Sequence, residues 1–120
     1  MSKRYPRSGN TDEALTTSGA DVRELLGADI HTGRTFRLRS VWVYNSHATT
    51  DGVVTLWDQA EGVAVAANER LAFPAPAATL TKIDIPAPGL EFRTDICAAV
   101  SAGTVAIYQA GAVGYEEGQG

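Results

Sequence analysis

Few residues in this 120-residue chain stand at spacings that do chemistry. Ser46 and His47 are its one Ser–His neighbour pair, but a nucleophile and its base are matched in space, not along the chain. The pair falls in a polar stretch between two apolar runs and reads as a loop. His31 and Asp29 are both metal-ligand types, but two are too few for a zinc site. Asp51, Asp58 and Glu61 lie close together, yet calcium takes about six to eight oxygens in a defined loop and the EF-hand spacing is absent. These acids are expected to be solvated, with no metal and no cofactor. Cys97 is the only cysteine, which excludes an internal disulfide or a multi-cysteine centre. Its Ile-Cys-Ala-Ala-Val surroundings predict a buried, inert thiol. Gly89, Gly103, Gly111 and Gly114 lack the spacing of a dinucleotide or phosphate loop. Trp42, Tyr44 and Trp57 offer a sugar-stacking platform, against the commoner role of cross-strand packing. No catalytic residue is assigned, and the chain is expected not to be an enzyme.

The elements that would position these residues are strands. Residues 34–45, RTFRLRSVWVYN, alternate and then turn apolar on both faces, as in a strand with one wet half and one covered half. Asp51-Gly52 is a hairpin signal leading into a strand at 53–58. Val63 and Val65 suggest a short edge. Glu69 to Phe73 reads as a strand ended by Pro74 and Pro76. Residues 78–85 alternate, Pro86 to Gly89 turns the chain, and 90–100 reads as one strand with Leu90, Phe92, Ile96, Ala98 and Val100 on one face. After a turn at 101–103, residues 104–109 form the last clear strand. Residues 20–28 are ambiguous: the stretch fits an edge strand, but leans towards a turn of helix, capped by Asp21 and stopped by Gly27, or irregular structure. The expected fold is all-β: an antiparallel, jelly-roll-like β-sandwich with an extended N-terminal arm. Its parts are the arm at 1–19, a connecting segment at 20–33, the sandwich at 34–116 and a mobile tail at 117–120. All the alternating apolar positions lie beyond residue 33, so the sandwich is expected to fold without the arm.

Apolar residues make up 44% and charged residues 20%, ordinary values for one globular domain. No apolar run approaches the roughly 20 residues of a membrane span. The N-terminus lacks an apolar signal region, so the expectation is synthesis in a cytoplasm, with no membrane partner. Charge is uneven: residues 1–39 carry a net +2 and residues 40–120 a net −6, for −4 in all. An acidic body argues against nucleic-acid binding. The basic front points to a contact with an acidic protein surface, carried by Lys3, Arg4, Tyr5 and Arg7. Three such charges on one arm are expected to bind weakly singly and firmly as a multimer.

The layout of VWVYNS, GVVTLWD, LTKIDIPAPGLEFRTDI and TVAIYQ, with Pro88, Gly89, Leu90 and Phe92 at a corner, resembles small β-sandwich structural proteins of tailed bacteriophage particles. The resemblance covers roughly residues 34–109. It implies a virion protein made in the host cytoplasm: a capsid decoration (cement) subunit on the outer shell, bound to the major capsid protein and often trimeric. A tail or head–tail joining component is the alternative within the particle. A carbohydrate-binding module is the alternative of another class.

Overall fold

A computed structural model describes residues 3–11, 14–16, 21–26, 30–102 and 106–118. Within them run strands β1 (Lys3–Asn10), β2 (Asp21–Glu24), β3 (Thr35–Asn45), β4 (Gly52–Asp58), β5 (Gly62–Val63), β6 (Glu69–Ala75), β7 (Thr79–Asp84), β8 (Leu90–Phe92), β9 (Ile96–Ala102) and β10 (Gln109–Gly118). A three-residue 3-10 turn at Ala66–Asn68 is the one helical element among the described residues. The strands build two antiparallel sheets, one in the order β1-β10-β3-β7 with β8 also on β3, the other β5-β2-β9-β4-β6. β7 pairs with Ser40–Asn45 and β8 with Phe36–Leu38, so together they make one neighbour for β3. The pairs β1:β10, β2:β9, β3:β7/β8 and β4:β6 then nest like one long hairpin. That hairpin is rolled up by the further pairs β10:β3 and β9:β4. Two sheets joined in this order are a jelly roll.

Alternation explains which residues face inward. Phe36, Leu38, Val41 and Val43 of β3, Val54 and Leu56 of β4, Phe92 of β8 and Ile96, Ala98 and Val100 of β9 meet between the sheets in one core. On β10 the inward positions are Ala110, Ala112, Gly114 and Glu116. The ladder to β3 is irregular at Val113/Gly114. A Cβ on Gly114 would strike the Arg37 carbonyl and come within 2.8 Å of the Phe36 ring. A second, smaller cluster lies outside the other sheet: Val22, Trp57, Cys97 and Ala99, with Ala64 packed against it. Cys97 is buried, as expected.

Five expectations are corrected. First, the N-terminal segment is extended but is not separate from the sandwich: β1 pairs with β10 along its whole length. Leu15 is fully buried, exchanges two backbone hydrogen bonds with Ile107 (2.8 and 2.9 Å), and is followed by Thr16, whose carbonyl accepts from Val100. Second, 21–24 is a strand rather than a helical turn, because its backbone bonds to β5 and β9 outweigh a short local stripe. Gly27 lies outside the described residues. Third, 90–100 is two strands. Phe92 belongs to the first sheet and Ile96 to the second, and the Asp58 carboxylate holds the break by accepting the amides of Arg93 (3.1 Å), Thr94 (2.8 Å) and Asp95 (3.3 Å). Fourth, the last strand begins at Gln109 and runs on to Glu117 and Gly118, so those two positions are sheet, not tail. Residues 103–105, 119 and 120, on which the expected turn and the rest of the tail fall, lie outside the described residues. Fifth, Pro74 lies inside β6 rather than ending it, on a sheet edge where a missing N–H is tolerated.

Removing the first segment therefore removes both an edge strand and a core side chain. A truncation starting at Ala20 is expected to lose its cooperative urea transition. Leu15→Ala alone is expected to destabilise the fold by about 2–5 kcal/mol. An unchanged urea midpoint for the truncation would show that the first sheet closes without β1.

Candidate functional site

The densest cluster of ionisable groups is built around Glu116. Its place on β10, opposite Tyr5 of β1 and Phe36 of β3, turns its side chain inward at one end of the sandwich. The side chain is wholly buried. Arg7 Nη1 donates to its Oε2 at 2.5 Å. His31 Nδ1 lies 2.8 Å from Oε1, and the His31 amide and Arg34 Nη1 each reach the same oxygen at 3.4 Å. The Arg34 guanidinium also stacks 3.8 Å over the Tyr5 ring. Burial pushes the Glu116 carboxyl up, but the hydrogen bonds from Arg7 and His31 outweigh it, and its pKa is held below the usual glutamate range. A carboxylate held in this way is a poor proton acceptor. It acts as an electrostatic clasp joining the first strand, the segment before β3 and the last strand.

The four residues expected to meet a partner divide accordingly. Tyr5 and Arg7 face inward and are engaged by the chain's own Arg34 and Glu116. Arg4 faces outward, with its side chain 70% exposed, 3.4 Å from Glu117 and over the Tyr115 ring. Lys3 is exposed beside it. Alternation along a strand thus splits a basic run that looks uniform in sequence.

The other candidates are used structurally. The His47 ring accepts the Ala106 amide through Nε2 at 3.3 Å, and the His47 amide donates to Asn45. The Asn45 side chain is buried and donates to the Thr50 and Ala75 carbonyls. Asp51 accepts from the Ala77 amide, Asp58 from the Arg93–Asp95 break, and Glu61 from the Glu24 amide. These acids point to three different places, and no group of three metal-ligating side chains occurs among the described residues. Asp29, weighed with His31 as a ligand, lies outside the described residues. Trp42 leans over Gly111 on the outer face of the first sheet, whereas Trp57 is buried on the outer side of the second. Trp42 and Tyr44, alternate positions of β3, thus share the outer face of the first sheet, and Trp57 is not part of it.

A cleft of about 310 Å³ is lined by Asp58, Arg70, Leu90, Glu91 and Arg93. Its charges are already matched: Arg93 and Arg37 bind Glu91 at 2.6 and 3.2 Å, and Arg70 lies 3.7 Å from Asp58. The hydrogen bond from Arg93 holds the Glu91 carboxyl below its usual range. Apolar side chains also stand exposed on the described surface. Tyr44 and Leu80 form a cross-strand pair on the outer face of the first sheet, 37% and 62% exposed. Tyr108, just before β10, and Val113 of β10 are 68% and 45% exposed. Apart from Tyr44, these residues are the surface that sequence reasoning missed; the signal was Leu80 alternating out of step with Ile83 and Ile85. No protein-family model matches the chain, and no curated protein matches it by sequence.

The clasp sets two expectations. Arg7→Ala leaves a buried carboxylate short of its closest cation and should destabilise the fold by about 3 kcal/mol. Arg4→Ala, on an exposed pair, should change stability by under about 1 kcal/mol. Because the folded-state pKa of Glu116 is lowered, its contribution is complete above the ordinary glutamate value of 4.5 and is lost as pH falls through the folded value. Urea titrations from pH 6 to pH 3 should show a smaller loss of stability for Glu116→Gln than for the wild type. Parallel curves would remove the clasp from the account.

Proposed function

We propose that the protein is a non-catalytic structural subunit of a tailed-phage particle, a capsid decoration (cement) protein that binds the major capsid protein on the outer shell. The observation that carries this reading is the use made of polar chemistry. The best-placed ionisable side chains, at Glu116, Asp58 and Glu91, are occupied in holding the chain's own strands and breaks together. The outer face of the first sheet instead offers Tyr44, Leu80 and Val113, with Tyr108 beside them. Exposed aromatic and aliphatic side chains on a rigid sheet suit a permanent protein contact. A jelly roll is a frequent architecture in viral shells, and the layout of residues 34–109 resembles phage structural proteins. Fold by itself assigns no function, so the surface carries the argument and the architecture agrees with it. Charge contributes through Lys3 and Arg4 at the rim, where exposed pairs affect orientation and rate more than affinity.

The test is to purify tailed-phage particles from a lysate of cells carrying the gene, separate heads from tails on a density gradient, and quantify the chain by mass spectrometry. We expect it in the head fraction at a fixed ratio to the major capsid protein, and we expect Tyr44→Ala/Tyr108→Ala chain to rebind stripped heads poorly. Presence in tails alone would replace this reading with a head–tail joining role. Absence from both fractions would overturn it.

A further inference from the structure

The sheet edges of the sandwich are not equivalent. The Thr11 amide bonds the Ala110 carbonyl, and the unbroken β1–β10 register continues that pairing at Gly9, Arg7, Tyr5 and Lys3. Arg4, Pro6, Ser8 and Asn10 therefore turn their backbone groups to the open side of β1, where Pro6 has no N–H to offer. Pro74 interrupts β6 and β5 is two residues long, so these edges too are poor templates. β7 differs: it is six residues, TLTKID, without proline, and it ends the first sheet. The Ile85 amide bonds the Arg39 carbonyl at 2.8 Å, and the register from Ser40–Asp84 to Asn45–Thr79 carries that pattern along the strand. Thr79, Thr81 and Ile83 thus bond to β3, while Leu80, Lys82 and Asp84 direct their backbone groups outward.

We infer that β7 is a self-pairing edge, at which a second copy of this chain adds its own β7 antiparallel across a two-fold axis and joins the two first sheets into one. The charges select both the occupant and the register. With Ile83 on the axis, Lys82 of each copy lies opposite Asp84 of the other, Leu80 meets Pro86, Thr81 meets Ile85, and the two Ile83 side chains meet on the core side. Moving the axis to Lys82 sets two lysines against each other, and moving it to Thr81 sets Leu80 against Lys82. Directly opposite like charges destabilise a strand pair, and opposite charges stabilise it. Lys82 and Asp84 are free to make the exchange: their side chains are 61% and 75% exposed and their contact within one chain is 3.6 Å long. Ile83 already packs against the core, so the paired sheets extend one apolar layer. An isologous contact of this kind closes after two copies. It is independent of the capsid reading, and it is a dimer, not the trimer that the phage resemblance implies.

The test is sedimentation velocity on the full chain over a range of concentrations, with Lys82→Glu, Asp84→Lys, and an equimolar mixture of the two. Both positions are exposed, so each variant should melt like the wild type. The wild type should show a monomer–dimer equilibrium, and each single variant should weaken it by roughly tenfold or more, because two attractive pairs become repulsive. The mixture should recover the dimer, since each variant then meets the complementary charge on the other. A wild type that stays monomeric, a trimer, or single variants that dimerise as tightly as the wild type would each overturn the inference.

Discussion

A fully buried carboxylate cannot remain ionised without cations against it, and Glu116, near the C-terminal end, obtains them from the first third of the chain. Arg7 comes from the first strand and Arg34 from the segment entering β3, where the His31 ring and amide also reach the carboxylate. The first and last strands must therefore lie side by side, which is the outermost pair of the rolled hairpin. With that pair in place, Gly114 can approach Phe36 and the core closes beneath it. The Asp58 carboxylate does similar work at the other critical point, holding the three amides where the chain leaves the first sheet for the second.

The parts of the fold legible in sequence are those whose side chains alternate in polarity. β3, β4 and β7 have that pattern and lie close to their expected positions. β1 does not, because its inward positions are Tyr5, Arg7 and Gly9, and a salt bridge, a stacked ring and a close backbone approach do not register as apolar. The break at Arg93–Asp95 was hidden for a related reason. Phe92 and Ile96 are both core residues, and nothing in their spacing says that they face the core from different sheets. The clasp itself was invisible, since Arg7 and Glu116 are 109 residues apart and each stands in a polar stretch. Alternation correctly implied a sandwich but could not say which charged residues are inside it.

These arrangements bear on function by elimination of a physical kind. Carboxylates and imidazoles that hold backbone amides or guanidinium groups are spent on the fold, as His47, Asp58 and Glu61 illustrate. Among the described side chains left to meet other molecules are Tyr44, Leu80, Tyr108 and Val113, with Val63 and Val65 at the edge of the second sheet, together with the outward backbone of β7. Both are features of association: one a rigid apolar face, the other a strand edge with complementary charges.

The fold depends most on the first strand being a clasped part of the sheet. Hydrogen exchange at single-residue resolution tests this directly, because the β1–β10 register directs the amides of Tyr5, Arg7 and Gly9 onto β10. In the wild type these amides should exchange at rates close to those of core amides in β3, and in Arg7→Ala they should exchange much faster while β4 and β9 stay protected. Wild-type exchange at Tyr5, Arg7 and Gly9 as fast as in an unfolded chain would contradict the clasp and return the N-terminal segment to a free arm.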